Sequence, residues 1–413
     1  MVEKINDIMN RFYEKSLIWS LIISGILVMS YLLPQWLGYS LSIIILLLIA
    51  TYHIYSSNKS IITADPTILF IIMMLFLIYS INIVREPSFV SSQRVVVFIV
   101  SLSIIIFLLP DVINRRTFAS CVCFISGLLV LIGLPAVFFG PYTIGPILVD
   151  SYHYGNAIPL LGWNYWPLTS VLANPNYMGP ITVIGTLTGI ERYSQSRRLI
   201  YLPFLFINFF GVYLTNSRNA QLGLLIALFL LILHRYLSSR NLWFLLLTSI
   251  VSSIVIILMY FSVLPGPRIL NQVDLRGRDD LWTAAWLGLH DKPIFGWGAI
   301  PSELVLEDYL YQIEDRSEHA AFGVGPHNSY VRLFLSTGYV GGFLYSILFI
   351  CLMKKILFKE NPYLLSQVTS IVIMQMFASP SIFGLSLTSL LWGATVGYTH
   401  HAICEYDINS RNA

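Results

Sequence analysis

Charge is scarce in this chain. Asp, Glu, Lys and Arg together make up 11% of the residues, less than half of the ~25% that a water-soluble domain spreads over its surface. Hydrophobic residues reach 56% and the mean hydropathy is +0.73, so lipid must solvate most of the exterior. Cysteine is also rare: Cys121, Cys123, Cys351 and Cys404 all lie within apolar runs. Cys121 and Cys123 are two residues apart and point to different sides of a helix, which argues against a metal pair. Tandem repeats, low-complexity tracts and metal-ligand spacings such as HExxH are missing too. The expectation is a protein with no resident metal and no cofactor.

Apolar runs near the ~20 residues that cross a bilayer as helix are plentiful. They predict an all-α integral membrane protein, one polytopic domain over 1–413, with about twelve transmembrane helices. The expected spans are 16–33, 38–56, 67–84, 95–110, 117–139, 177–191, 199–215, 219–236, 242–262, 329–353, 362–379 and 382–403. MVEKINDIMNRFYEKS precedes the first run without a small-residue cleavage pattern, so that helix is expected to be retained. Alternating from a cytoplasmic N-terminus puts at least one basic residue in every cytoplasmic loop. Fifteen of the 24 fall there, and the outer side holds nine over much more chain. The positive-inside pattern then keeps both termini in the cytoplasm, and the cytoplasmic (inner) membrane is the expected location.

Two outward segments are long, and loops of such length are uncommon unless functional. Residues 140–176 are rich in Gly, Pro, Tyr and Trp, and GWNYWP reads as an interfacial aromatic patch. Residues 263–328 form a large outward loop between the ninth and tenth spans, carrying two amphipathic helical stretches. RDDLWTAAWLGLH aligns Leu281, Trp282, Ala285, Trp286 and Leu289 on one face suited to the membrane interface. SELVLEDYLYQIEDRSEH sets Leu306, Leu310 and Ile313 against an acidic side. The loop holds five basic and ten acidic residues, a net charge of −5. Such a surface does not attract nucleic acid, and a phosphate there would need specific arginines.

Arginines are available on the outer side. Arg218 occupies the turn LTNSRNAQ, Arg276 and Arg278 lie in DLRGRDD, and Arg332 sits just inside the tenth span. Singly, each reads equally well as a snorkelling or solvated charge. Together at one bundle mouth they suit a diphosphate, because a guanidinium grips two oxygens as a fork. In GPHNSYVR, Gly325 and Pro326 break any preceding helix, His327 follows, and Asn328 or Ser329 can cap the helix that begins there. The positive end of that helix disfavours imidazolium and leaves a neutral base at His327. His153 and His319 are also outward, and position alone does not rank the three.

The chain resembles the O-antigen ligase and polymerase superfamily, membrane bundles that transfer glycans from a polyprenyl diphosphate carrier. Four stretches in order carry the resemblance: ANPNYMG (173–179), LTNSRNAQLG (214–223), RDDLWTAAWLGLHDKPIFGWG (278–298) and HNSYVRLFLSTGYVGG (327–342). The resemblance implies that Arg218 and Arg278 hold the carrier's diphosphate, with Arg276 beside Arg278 as an alternative contact. His327 is implied as the general base, with Asn176, Asn328 and Arg332 near the substrate. The implied partners are a polyprenyl (undecaprenyl-type) diphosphate-linked glycan, a lipid core or glycan acceptor, and membrane lipids. Ligase-like transfer on the outer face is the first expectation and polymerisation of carrier-linked units the second. A small-anion transporter, from another class, would place charges near mid-membrane, where these spans have almost none.

Overall fold

The computed structural model describes the whole chain except residues 1, 31–33, 57–63, 86, 146, 153–157, 161–162, 261–263, 268–276, 314–324 and 412–413. It is mostly helical. A helix lies at each of the twelve expected positions: α1 (Val2–Met29), α2 (Gln35–Ser56), α3 (Pro66–Arg85), α4 (Phe89–Ser103), α6 (Arg115–Phe139), α7 (Pro175–Ser196), α8 (Tyr201–Leu214), α9 (Arg218–Leu233), α10 (Ser239–Tyr260), α13 (Ser329–Phe358), α14 (Pro362–Gln375) and α15 (Leu387–Arg411). After α4 the chain opens into a π-helical turn, Ile104–Leu108, and closes as the short α5, Leu109–Val112. Pro110 has no N–H for the helical ladder, which explains why the wider turn forms just before it.

Among the described residues, seven helices are long and apolar enough to cross a membrane, and α8 and α9 are apolar but shorter. α7, α14 and α15 are less apolar, and α14 is also short at 14 residues; the lower apolarity has a physical reason. They lie inside the bundle, where Thr182, Thr186, Thr188, Ser366, Gln367, Thr369, Thr395 and Thr399 are buried. An interior helix meets other helices and can carry hydroxyls bonded to its own preceding turn, as Thr186 and Thr395 are. The peripheral α10 shows the reverse pattern, with Phe244, Val251, Ile254 and Ile256 exposed for lipid.

The segment expected as an aromatic loop also contains strands. β1 (Tyr142–Ile144), β2 (Ile147–Ser151) and β5 (Leu168–Ser170) form an antiparallel sheet in the order β1-β2-β5, and β3 (Ile158–Leu160) pairs with β4 (Trp163–Tyr165). The sheet seats on α6 where Pro135 removes a backbone donor. Hydroxyls of Ser170, Ser151 and Tyr142 donate to the carbonyls of Leu129, Ala136 and Ile132 around it. Tyr165 is buried against protein, so that part of GWNYWP does not reach the interface.

One end of the bundle is fastened by charge. Arg115 on α6 makes a forked contact with Glu191 on α7 (3.2 and 2.6 Å) and reaches Gln367 on α14 (2.6 Å). Lys355 on α13 pairs with Asp65 before α3, whose backbone N–H donates to His400 Nε2 on α15 at 3.0 Å. The opposite end carries the sheet, the two extra helices and the N-termini of α7, α9 and α13.

Candidate active site

Two amphipathic helices precede α13: α11 (Arg278–Asp291) and α12 (Ser302–Leu310). Their apolar faces meet each other and α13 in a separate small core of Leu281, Ala284, Ala285, Val305, Leu306, Tyr309, Leu310 and Leu335. Ile313 packs on its edge, as the pattern of the second stretch predicted. The interfacial expectation for the first stretch needs correcting. Most of its apolar face is spent on protein contacts, and Trp286 is the large residue left exposed.

The loop after α11 is built into a break in α13. Gly338 takes φ 67° and ψ −171° inside that helix, roughly 13 Å from its start at 1.5 Å per residue. The carbonyls freed there are claimed by the loop: Trp297 N–H donates to Leu335 O at 2.9 Å and Gly298 N–H to Ser336 O at 2.7 Å. Tyr339 N–H in turn donates to Pro293 O at 2.7 Å. Asn82 of α3 adds a bond from Nδ2 to Phe295 O at 2.6 Å. A Cβ on Gly338 would stand 2.2 Å from Ile294 O, so the GWG and TGY motifs are two halves of one backbone joint. This joint fixes where the first turns of α13 point.

At the head of α13, Asn328 caps the helix by accepting from Tyr330 N–H (2.9 Å) and Val331 N–H (3.1 Å). Its carbonyl oxygen is therefore committed, which leaves its amide hydrogens for other partners. Ser329 Oγ donates to Ala378 O at 2.7 Å, tying this turn to the segment after α14. His327, one residue outside the cap, is half-buried with φ 47°. Left-handed backbone in a residue with a Cβ costs about 1–2 kcal/mol, which marks a constrained position. Trp282 Nε1 of α11 donates to Pro326 O at 2.7 Å and clamps the turn from the other side.

This clamp brings Arg278, the first residue of α11, within electrostatic reach of His327. Burial lowers the His327 pKa from the ordinary 6.5, and the Arg278 charge lowers it further. The carboxylate of Glu303 on α12 acts in the opposite sense. A neutral imidazole, able to accept a proton, follows at neutral pH. Arg332, a turn along α13, is half-buried and donates from Nη1 to Ser379 O at 3.4 Å.

Arg218 and Asn176 belong to a second group. Arg218 is exposed in the first turn of α9, and Asn176 is exposed in the first turn of α7. Ser217 Oγ bridges the amide oxygen of Asn176, at 3.0 Å, and that of Asn219. Among the described residues the Nδ2 of buried Asn219 has no hydrogen-bond partner, an unusual state for a donor beside a helix N-terminus. α9 packs against α14, which packs against α13, so both groups lie on the same end of one bundle. Arg278 acts on His327 through its charge, and among the described residues Arg218 is not one of the groups whose charge acts on it. Arg276, His153 and His319 lie outside the described residues.

Sequence reasoning missed Asn219 and Glu303. Asn219 stood in the quoted LTNSRNAQ turn, and an amide following the arginine at a helix start was the available signal. Glu303 was absorbed into an acidic helix face, and nothing local distinguished it from Glu307.

Residues 203–346 match the family described as O-antigen ligase. No curated protein is similar enough in sequence to match the chain.

Proposed function

The chain belongs to the O-antigen ligase superfamily, and on that premise we propose that it moves a glycan from a polyprenyl diphosphate carrier to an acceptor hydroxyl on the outer face of the membrane. Its matched family is one of glycosyl-transferring membrane enzymes. The observation that carries the reading is the half-buried His327, held in a strained turn beside Arg278 at the head of α13.

In the proposed reaction the acceptor hydroxyl attacks the anomeric carbon while His327 takes its proton. The new C–O bond forms as the bond to the diphosphate oxygen breaks. The departing electron pair leaves on the carrier, where Arg278 and Arg218 stabilise the growing negative charge. In this reading Asn176, Asn219 and the amide hydrogens of Asn328 donate further hydrogen bonds to phosphate or sugar oxygens. Arg276, next to Gly277 and Arg278 in sequence, is proposed as an alternative diphosphate contact, and Arg332 in the first turns of α13 as a further one. A diphosphate is a good leaving group, so the mechanism needs no protonating acid. The carrier's hydrocarbon chain stays in lipid while its head reaches the bundle mouth.

A transporter would use a broken helix to expose carbonyls to an ion. At the break in α13 the carbonyls of Leu335 and Ser336 already accept from Trp297 and Gly298. That favours an interfacial enzyme.

The test is transfer by purified protein from a polyprenyl diphosphate-linked glycan, with chelator present, to either a lipid core or a second carrier-linked glycan. Transfer to the lipid core is the expected result, and transfer only to the second glycan would make the protein a polymerase. Activity lost on chelation and restored by a divalent ion would contradict the metal-independent step.

A further inference from the structure

The turn that carries His327 leans on the start of α12. A Cβ placed on Gly325 would stand 3.0 Å from Glu303 Oε1 and 3.5 Å from Ser302 Oγ. The carboxyl group of Glu303 thus fills the space that any side chain at 325 would need, two residues before His327. Ser302 is 2% exposed, and among the described residues its hydroxyl has no hydrogen-bond partner. An orphan hydroxyl and a carboxylate are therefore packed against the backbone of the histidine's own turn.

We propose that Glu303 is a positioning residue for His327: its carboxylate orients the imidazole, leaving the opposite ring nitrogen aimed outward as the proton acceptor. The proposal rests on His327 being the base. A carboxylate behind a histidine fixes the tautomer and stabilises the imidazolium that forms when a proton is taken. Among the described residues, the charged groups that act on His327 are Arg278 from α11 and Glu303 from α12, with opposite signs. Arg278 faces the leaving group and disfavours imidazolium. Glu303 offsets that penalty, so the base remains strong enough to work beside an arginine. The bare glycine at 325 follows from the same arrangement.

The experiment is the pH profile of kcat/KM for glycan transfer by full-length Glu303→Gln, Glu303→Asp, Gly325→Ala and His327→Asn. In Glu303→Gln, kcat should fall by about tenfold or more with donor KM unchanged. The acid limb should move to lower pH by about one unit, because a stabiliser of imidazolium has been lost. Glu303→Asp should recover part of the rate. Gly325→Ala, whose new methyl pushes on the carboxyl group, should shift the limb in the same direction as Glu303→Gln. An acid limb that stays at the wild-type position in Glu303→Gln, whatever the rate, overturns the pairing and leaves a structural carboxylate. An acid limb that disappears overturns it differently, by making Glu303 the base. Wild-type rates in His327→Asn would remove the base assignment itself, whereas a dead His327→Asn with an unshifted Glu303→Gln removes only the pairing.

Discussion

His327 and Arg218, the proposed base and one of the proposed diphosphate ligands, are held in two different ways. The histidine is half-buried, strained and clamped from both sides, so its ring is pre-positioned before substrate arrives. The arginine is exposed in the first turn of α9, free to fold over an anion that the helix N-terminus and the Asn219 amide already favour. Replacing Arg218 by Lys keeps the charge but loses the two-pronged grip. That change should reduce kcat/KM for the diphosphate donor by about 10–100-fold, the size of one charge-assisted hydrogen bond. Because the site is exposed, the thermal unfolding midpoint in detergent should be unchanged; steady-state kinetics and a melting curve on one preparation check both halves. His327, Arg218 and Arg278 could be singled out as candidates from motifs because each is a local signal: a helix breaker, a cap, an arginine on the disfavoured side. Glu303 and Asn219 could not be ranked, since what singles them out is a neighbour far away in sequence or an unmet hydrogen bond.

At the level of elements, the helices were legible because lipid imposes a plain hydropathy signal. Most helix positions matched within a few residues, but the first helix starts at Val2 rather than near 16, α4 at Phe89 rather than near 95, and the last at Leu387 rather than near 382. The small sheet was not legible. Its strands are three to five residues long, too short for alternation to emerge among glycines and prolines. Nor was the joint between α13 and the loop 293–298 foreseen as a contact, although both glycine motifs were noticed. Its backbone geometry makes a sharp prediction for Gly338→Ala. The methyl would face Ile294 O at 2.2 Å in a left-handed conformation, a combined cost of about 2–3 kcal/mol. Thermal unfolding in detergent should show a clearly lowered midpoint, and the surviving protein should lose transfer activity as α11 and the His327 turn lose their common support. A midpoint equal to wild type would mean that the joint is not what positions them.

Across the whole molecule the two ends are built for different tasks. One end locks α3, α6, α7, α13, α14 and α15 through buried charge, with the Arg115–Glu191–Gln367 cluster at its centre. Breaking such a cluster leaves an uncompensated charge indoors, so it resists motion. The other end gathers helix N-termini, unfinished hydrogen bonds and arginines, which is the composition of a site that waits for an anion. On the proposed orientation, which follows the positive-inside pattern, the locked end faces the cytoplasm and the open end the outside. The division of labour explains how a chain with so little charge supports polar chemistry: its charges are concentrated at the two ends. The central claim is that His327 at the open end is the proton acceptor in glycan transfer. It is tested most directly by the single-turnover transfer rate of His327→Asn, a residue that tolerates the same left-handed backbone, at saturating polyprenyl diphosphate donor. The account predicts a rate lower by about 10²–10⁴-fold with donor affinity unchanged; a rate equal to wild type would contradict it.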